Sequence, residues 1–131
     1  MCQRLHIRQA TIGQSLVETA LVLPILFLFV FGMLDLGRAV YDHVTLSFAV
    51  REGGRVAIVS SRPETEIRQA VIDAAPGLNL SPGNITITGT RQPGSLVTVG
   101  ASYTFRLITP LISQIVGSSL LIQAQTSMIV E

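Results

Sequence analysis

Residues 16–34 read LVETALVLPILFLFVFGML, a stretch of nineteen residues in which Glu18 is the only charged side chain. A helix of this length spans about 28 Å, close to the thickness of the hydrocarbon core of a bilayer. A secretory signal peptide has a shorter apolar core, followed by small residues at a cleavage site. Here the stretch is followed instead by Asp35, Leu36, Gly37 and Arg38. The sequence therefore predicts a retained transmembrane helix with residues 14–34 as the spanning segment.

The charges on either side of this segment predict its orientation. Arg4, Arg8 and the N-terminal amine precede it, whereas Asp35 and Arg38 on the other side roughly cancel. Cytoplasmic flanks of membrane helices carry an excess of Lys and Arg. We therefore expect residues 1–13 in the cytoplasm and the C-terminal domain on the opposite side of the membrane.

Glu18 places a carboxylate just inside the apolar helix. A charge at the middle of a membrane costs about 2.5–3.5 kcal/mol, so a functional role is the default hypothesis. Two simpler explanations stay open. Glu18 lies near the membrane edge, where the cost is lower, and Ser15-x-x-Glu18 fits a capping box at a helix N-terminus.

Pro24 lies near the middle of the spanning segment. It removes one backbone hydrogen bond and is expected to bend the helix. It is either a membrane proline whose freed carbonyl is satisfied by neighbouring groups, or a weak point where the helix stretches or repacks on leaving the bilayer. The sequence leaves both interpretations open.

The N-terminal pattern resembles the processing site of type IV prepilins: a short basic leader, a glycine, four residues, a glutamate and an apolar helix. In that family a membrane-embedded aspartyl peptidase cuts after the glycine on the cytoplasmic face. The resemblance implies cleavage between Gly13 and Gln14, and it makes Glu18 the fifth residue of the mature chain. It further implies that this carboxylate neutralises the new N-terminal amine of an adjacent subunit, since either charge is expensive unpaired in an apolar core. The residues implied in processing and assembly are Leu16, Val17, Glu18 and Pro24.

Three blocks in order narrow the resemblance to the TadE-like family, pilin-like components of the tight-adherence machinery that builds Flp-type pili. The blocks are GQSLVETALVLP at residues 13–24, DLGRA at 35–39 and AVREGGR at 49–55, so the resemblance covers about residues 13–56. Thr19 departs from the pattern, because relatives often carry an aromatic residue after the glutamate. The implied partners are the bacterial inner membrane, a prepilin peptidase, other pilin-like subunits and the pilus-assembly machinery. The implied location of the C-terminal domain is the periplasm, with the cell surface as a further location after assembly.

Beyond the membrane the helix is predicted to continue as a long amphipathic helix. Its polar residues recur at spacings of three, four or seven and form one narrow stripe: Asp35, Arg38, Asp42, Thr45, Glu52 and Arg55. The remaining arc is apolar or small, and it is wider than a small domain needs in order to cover a helix. We favour a helix that packs partly on its own sheet and partly on neighbouring subunits over one that is wholly buried.

The rest of the chain predicts a small α+β domain, residues 35–131. A capping box formed by Ser61 and Glu64 is expected to start a second helix, and Pro76-Gly77 to stop it. Apolar alternation then predicts three strands of an antiparallel sheet, with the long helix packed on one face in a pilin-like layout. The predicted strands are residues 84–88, 97–107 and 120–130, and residues 111–117 are an apolar loop or short helical turn.

Several function classes find no support in the sequence. The net charge of +1 argues against nucleic acid as a partner. The one cysteine, Cys2, excludes an internal disulfide, and His6 and His43 have no sequence neighbours that complete a metal or nucleophile site. We therefore expect no enzymatic activity, no metal or other cofactor and no small-molecule substrate.

Two functions follow from these observations. The first is a pilin-like minor subunit or pseudopilin, cleaved after Gly13 and acting in pilus assembly. The alternative is an uncleaved, permanently anchored periplasmic scaffold or chaperone of a secretion or pilus machine, in which Glu18 is only a helix cap.

Overall fold

The computed structural model describes residues 4–131, and it describes the side chains of all of these except residues 4–12, 111, 115 and 116. Cys2 and the side chains of Arg4, His6 and Arg8 therefore lie outside the described part. The elements in chain order are α1 (Arg4–Ala57), α2 (Glu64–Asp73), a 3-10 turn (Pro82–Asn84), β1 (Ile85–Thr88), β2 (Leu96–Arg106), α3 (Pro110–Val116) and β3 (Ser119–Ile129). This order confirms the predicted α+β class.

Helix α1 is a single helix of 54 residues that carries the predicted membrane segment and continues through Pro24 into the domain. At 1.5 Å per residue it is about 80 Å long. It is long and apolar enough to cross a membrane once, and the rest of the chain buries none of its most apolar window. This is the arrangement expected of a single-pass membrane protein.

The three strands form one antiparallel sheet, as predicted, and their order in the sheet is β1-β2-β3. The central strand β2 pairs with β1 through Ile85 and Ala101, and with β3 along its whole length from Leu96–Ile129 to Arg106–Ser119. Residues 110–116, between β2 and β3, form α3, the short helical turn that was one of the two predicted alternatives.

The core lies between the C-terminal part of α1, helix α2 and one face of the sheet. The predicted alternation in β2 holds at Val97, Val99, Ala101 and Phe105, which are buried, whereas Gly100 between them is also buried and Tyr103 is only half-buried. The sheet is tied to the far end of α1 by the Glu131 amide, which donates to the Ile58 carbonyl at 3.0 Å. The principal core residues are Leu46, Ala49, Val50, Ala57, Ile67, Val71, Ile85, Val97, Val99, Ala101 and Val130.

Gly53 and Gly54 lie where α1 packs tightly on α2 and β3. A Cβ at Gly53 would overlap Cγ2 of Val71 in α2, and a Cβ at Gly54 would lie 2.8 Å from Cγ2 of Thr126 in β3. Each glycine weakens a helix by about 1 kcal/mol relative to alanine. The close packing on both sides offsets that cost and explains why two glycines occur together inside α1.

The predicted capping box at the start of α2 is wrong. The helix begins at Glu64 directly after Pro63, whose extended backbone provides the N-cap without a side-chain hydrogen bond. Ser61 is therefore too far from the first turn to cap it. The Glu64 carboxylate instead lies 3.6 Å from the guanidinium of Arg68, one turn further along α2.

Candidate functional site

The predicted cleavage site, Gly13-Gln14, lies within α1 on an exposed part of the helix. A Cβ at Gly13 would meet no other atom within 4 Å, so the space beside this peptide bond is open. Leu16, Val17 and Pro24 are also exposed along the same helix. These residues form one accessible linear segment, and the structure does not gather them into a pocket with the domain.

The helix start excludes the capping explanation of Glu18. Because α1 begins at Arg4, Ser15 and Glu18 lie inside the helix, where backbone N–H groups already donate to carbonyls one turn earlier. Thr19, the residue that departs from the family pattern, donates its hydroxyl hydrogen to the Ser15 carbonyl at 2.9 Å. The local helix therefore satisfies Thr19 but gives Glu18 no capping role.

Glu18 is exposed, and its neighbours include Ser15, Val22 and Leu23 along one shallow groove of the helix surface. Among the side chains that the structure describes, every ion pair lies at or beyond Asp35, so none involves Glu18. Chemically, Glu18 is a carboxylate hydrogen-bond acceptor that is exposed on an apolar helix. It is suited to pairing with a positive group from outside the segment.

The wide apolar arc beyond the membrane is divided between two environments. One side of α1 packs on the domain through Leu46, Ala49 and Val50. The other side remains uncovered, with Tyr41 66% exposed and Phe48 61% exposed. The large apolar residues on this uncovered face are Leu36, Val40, Tyr41, Val44 and Phe48.

The predicted polar stripe does not face solvent uniformly. Arg38 and Arg55 are exposed, Thr45 is half-buried, and Asp35 is only 4% exposed. The stripe therefore begins, at its membrane end, with a buried carboxylate rather than a solvated one.

Asp35 binds the segment that joins β2 to α3, a relationship that sequence reasoning missed. Its carboxylate accepts hydrogen bonds from the Ile108 amide at 3.2 Å, from the Thr109 amide at 2.9 Å and from the Thr109 hydroxyl at 2.6 Å. The guanidinium of Arg38 lies 3.6 Å from the same carboxylate. Asp35 therefore fixes the β2–α3 junction to the helix at the edge of the membrane segment.

This environment keeps the Asp35 carboxylate ionised. The hydrogen bond from the Thr109 hydroxyl lowers the pKa of Asp35 below its ordinary range, while burial acts in the opposite direction. The Thr109 and Ile108 amides and the charge of Arg38 lower the pKa further. One sequence clue was present, since an acidic residue directly after an apolar span needs a partner, but the partner lies 74 residues away.

Arg38 also supports this junction through its position on an aromatic ring. Its guanidinium carbon lies 5.3 Å from the ring centroid of Phe105, near the end of β2. Such cation–π contacts are worth about 0.5–1 kcal/mol at exposed sites.

The described part of the chain shows no cluster of side chains that would support catalysis or metal binding. No group of three or more His, Cys, Asp or Glu side chains converges there. His43 is exposed on α1.

The comparisons with known proteins bear on the N-terminal part of the chain. Residues 13–55 match the family model described as TadE-like protein, which confirms the resemblance over 43 of the 131 residues. The match begins at Gly13 and ends after Gly53-Gly54, so it includes Glu18 and Asp35. No curated protein and no solved structure matches the chain.

Proposed function

We propose that this chain, with its TadE-like segment, is a pilin-like minor subunit or pseudopilin that acts in the assembly of tight-adherence pili. A prepilin peptidase cuts it after Gly13 on the cytoplasmic face of the inner membrane. The domain that begins at Asp35 lies in the periplasm. Its role is structural, and its partners are other pilin-like subunits and the assembly machinery.

The observation that carries this proposal is the carboxylate of Glu18, five residues after Gly13 on a continuous apolar helix, which has no ionic partner among the side chains that the structure describes. A helix cap no longer accounts for it, because α1 begins at Arg4. Cleavage after Gly13 creates an amine at Gln14, and in an assembly that amine on one subunit meets Glu18 on the next. The two opposite charges compensate each other, and pairing therefore lowers the cost that each would have alone in an apolar environment.

The uncovered face of α1 supports assembly by a separate argument. Tyr41, Val44 and Phe48 lie beyond the span, so the bilayer core does not cover them, and their own domain leaves them exposed. Contiguous exposed apolar surface of this kind marks an interaction site. In the proposed assembly, helices of neighbouring subunits cover this face.

Co-expression of the full chain with a prepilin peptidase tests the proposal. We expect intact-mass and N-terminal peptide mass spectrometry to find a chain that starts at Gln14. The variant Gly13→Leu should stay uncleaved, because a bulky side chain fills the open space beside the scissile bond. Gly37→Leu is the matched control, since a Cβ at Gly37 also meets nothing within 4 Å, and it should be cleaved normally.

The outcomes separate the two candidate functions. An intact N-terminus beside a peptidase that cuts its own known substrate would contradict processing. That result would support the alternative of an uncleaved, permanently anchored scaffold or chaperone.

A further inference from the structure

The segment of residues 107–121, which joins β2 to β3 and includes α3, lies at the membrane end of the domain. The strand β2 runs back along α1 toward the span, so this segment follows the end of the strand that is nearest to Asp35. It carries no charged residue: the chain has none between Arg106 and Glu131. We call residues 107–121 the membrane-facing segment.

A contact with the span fixes the depth of this segment. Cδ1 of Ile112 lies 3.2 Å from the position of a Cβ at Gly32, so Ile112 packs directly on the helix backbone. Gly32 lies inside the spanning segment, two residues and therefore about 3 Å before its end at Leu34. The hydrogen bonds from Ile108 and Thr109 to Asp35 hold the neighbouring backbone at the same level. Helix α3 is thus level with the edge of the hydrocarbon core.

The segment exposes large apolar side chains at this depth, and the polar side chains that it also exposes, Gln114, Ser118 and Ser119, are uncharged. Ile108 is 66% exposed and Leu121 is 63% exposed. Between the segment and α1 lies an open groove of about 640 Å³ with an almost wholly apolar lining. The groove is lined by, among others, Leu28, Gly32, Phe105, Leu107, Ile112 and Leu120.

The nearest basic side chains flank the segment on its domain side. Arg106 is exposed at the end of β2, and Arg38 is half-exposed one turn beyond Asp35. Guanidinium groups form paired hydrogen bonds with phosphate. Apolar side chains at the hydrocarbon edge with arginines just above them match the order of acyl chains and phosphates in one leaflet.

We propose that the membrane-facing segment is a second membrane contact of this protein, in which Ile108, Ile112 and Leu121 enter the outer leaflet of the bilayer that α1 spans. Lipid is the occupant because the groove continues the lipid-facing surface of the span without a break, from Leu28 to Ile112. The inference rests on the membrane anchor of the proposed function, and it is independent of cleavage and assembly. Its consequence is that the domain lies directly on the membrane before any assembly.

Depth-dependent fluorescence quenching of the full chain in vesicles tests this proposal. With Cys2 replaced by serine, single cysteines at Ile108, Leu121 and Ile129 are labelled with an environment-sensitive fluorophore in phosphatidylcholine–phosphatidylglycerol vesicles. Ile129 is the matched control: it is 64% exposed at the opposite end of the sheet. That end is level with Ile58, about 36 Å along α1 from Leu34.

We expect lipids with a nitroxide near the headgroup to quench the labels at 108 and 121 at least about twofold more than the label at 129, since interfacial apolar residues lie about 5–10 Å into the boundary. The variant Ile108→Asp should reduce quenching of the label at 121, because a carboxylate resists entry into lipid. A label at Leu26, with lipids that carry the nitroxide deep in the acyl chain, reports on the anchor separately.

Each contrary outcome has its own meaning. Quenching at 26 together with equal, weak quenching at 108, 121 and 129 would overturn the second membrane contact and leave the anchor standing. A blue-shifted emission at 108 and 121 without quenching would show that protein, such as a second copy, covers the segment, and would also overturn it. Absence of quenching at 26 would remove the anchor and, with it, both proposals.

Discussion

The Asp35 carboxylate accepts hydrogen bonds from both the amide and the hydroxyl of Thr109, at 2.9 and 2.6 Å, across 74 residues of sequence. Both residues are almost fully buried, with Asp35 at 4% and Thr109 at 2% exposure. The contact joins α1, just beyond its apolar span, to the segment that follows β2. It adds a tie at the membrane end of the domain to the core packing further along α1.

Removal of the Asp35 carboxylate should destabilise the domain. In Asp35→Ala the Thr109 hydroxyl and the amides of Ile108 and Thr109 lose their acceptor, and an unsatisfied buried donor costs about 1–3 kcal/mol. Urea unfolding of the full chain in detergent micelles measures the loss. Asp42→Ala is the control, since Asp42 has no hydrogen-bond or ionic partner among the described side chains, and it should change stability little. Equal stability of the two variants would contradict the role of Asp35.

The dependence of this stabilisation on pH follows from the lowered pKa of Asp35. A depressed folded-state pKa gives a contribution that is fully present above the unfolded-state value of about 3.9 and is lost as pH falls through the folded value. The stability difference between the parent chain and Asp35→Asn should therefore be constant from about pH 7 to pH 5 and shrink below about pH 4. A difference that shrinks near pH 6 would show that the Asp35 pKa is raised instead.

An added methyl group at Gly53 should also destabilise the domain, because it overlaps the side chain of Val71. Overpacking of this kind costs about 1–3 kcal/mol. Gly37→Ala is the matched control on the same helix: it has open space and should stabilise by up to about 1 kcal/mol through helix propensity. Thermal unfolding in micelles compares the two variants. The double variant Gly53→Ala with Val71→Ala should lose less stability than the sum of the losses in the two single variants, because removal of the Val71 side chain relieves the overlap with the new methyl group.

Glu18→Gln should impair assembly while membrane insertion stays normal. The substitution keeps the size of the side chain and removes the charge that the proposed assembly pairs with the amine of Gln14. Insertion is measured by carbonate extraction of membranes, and assembly by crosslinking between subunits and by the yield of surface pili. Glu64→Gln, on an exposed carboxylate of α2, controls for the loss of a charge as such. Unchanged assembly in Glu18→Gln would favour the anchored scaffold.

The elements of this fold could be predicted where periodicity is strong. The charge-free run from Thr19 to Leu34 and the alternation in β2 and β3 each impose a pattern that only one type of element satisfies. Local rules failed where another local arrangement was available, as at Ser61, where Pro63 provides the start of α2 without a side-chain cap.

The role of the candidate site in processing stays a prediction, and its surroundings could not be predicted from the sequence. Gly13 and Glu18 were identified from spacing and resemblance, yet the capping explanation of Glu18 fell only when the helix was seen to begin at Arg4. The buried contact of Asp35 could not be predicted from local sequence patterns, because its partner Thr109 lies 74 residues away. A polar residue in a helical stripe looks solvated until the segment around Thr109 is brought against it.

The domain is fastened to α1 at both of its ends, at the membrane by Asp35 and Thr109 and at the far end by the Glu131 amide and the Ile58 carbonyl. Because the sheet is held to α1 at two separate points, rotation of the domain about one contact would break the other. If the proposed assembly machinery pulls α1 out of the bilayer, the domain is therefore expected to move together with the helix. After the proposed cleavage the helix runs from Gln14 to Ala57, so a pull at its new N-terminus would be transmitted along about 65 Å of helix, at about 1.5 Å of rise per residue.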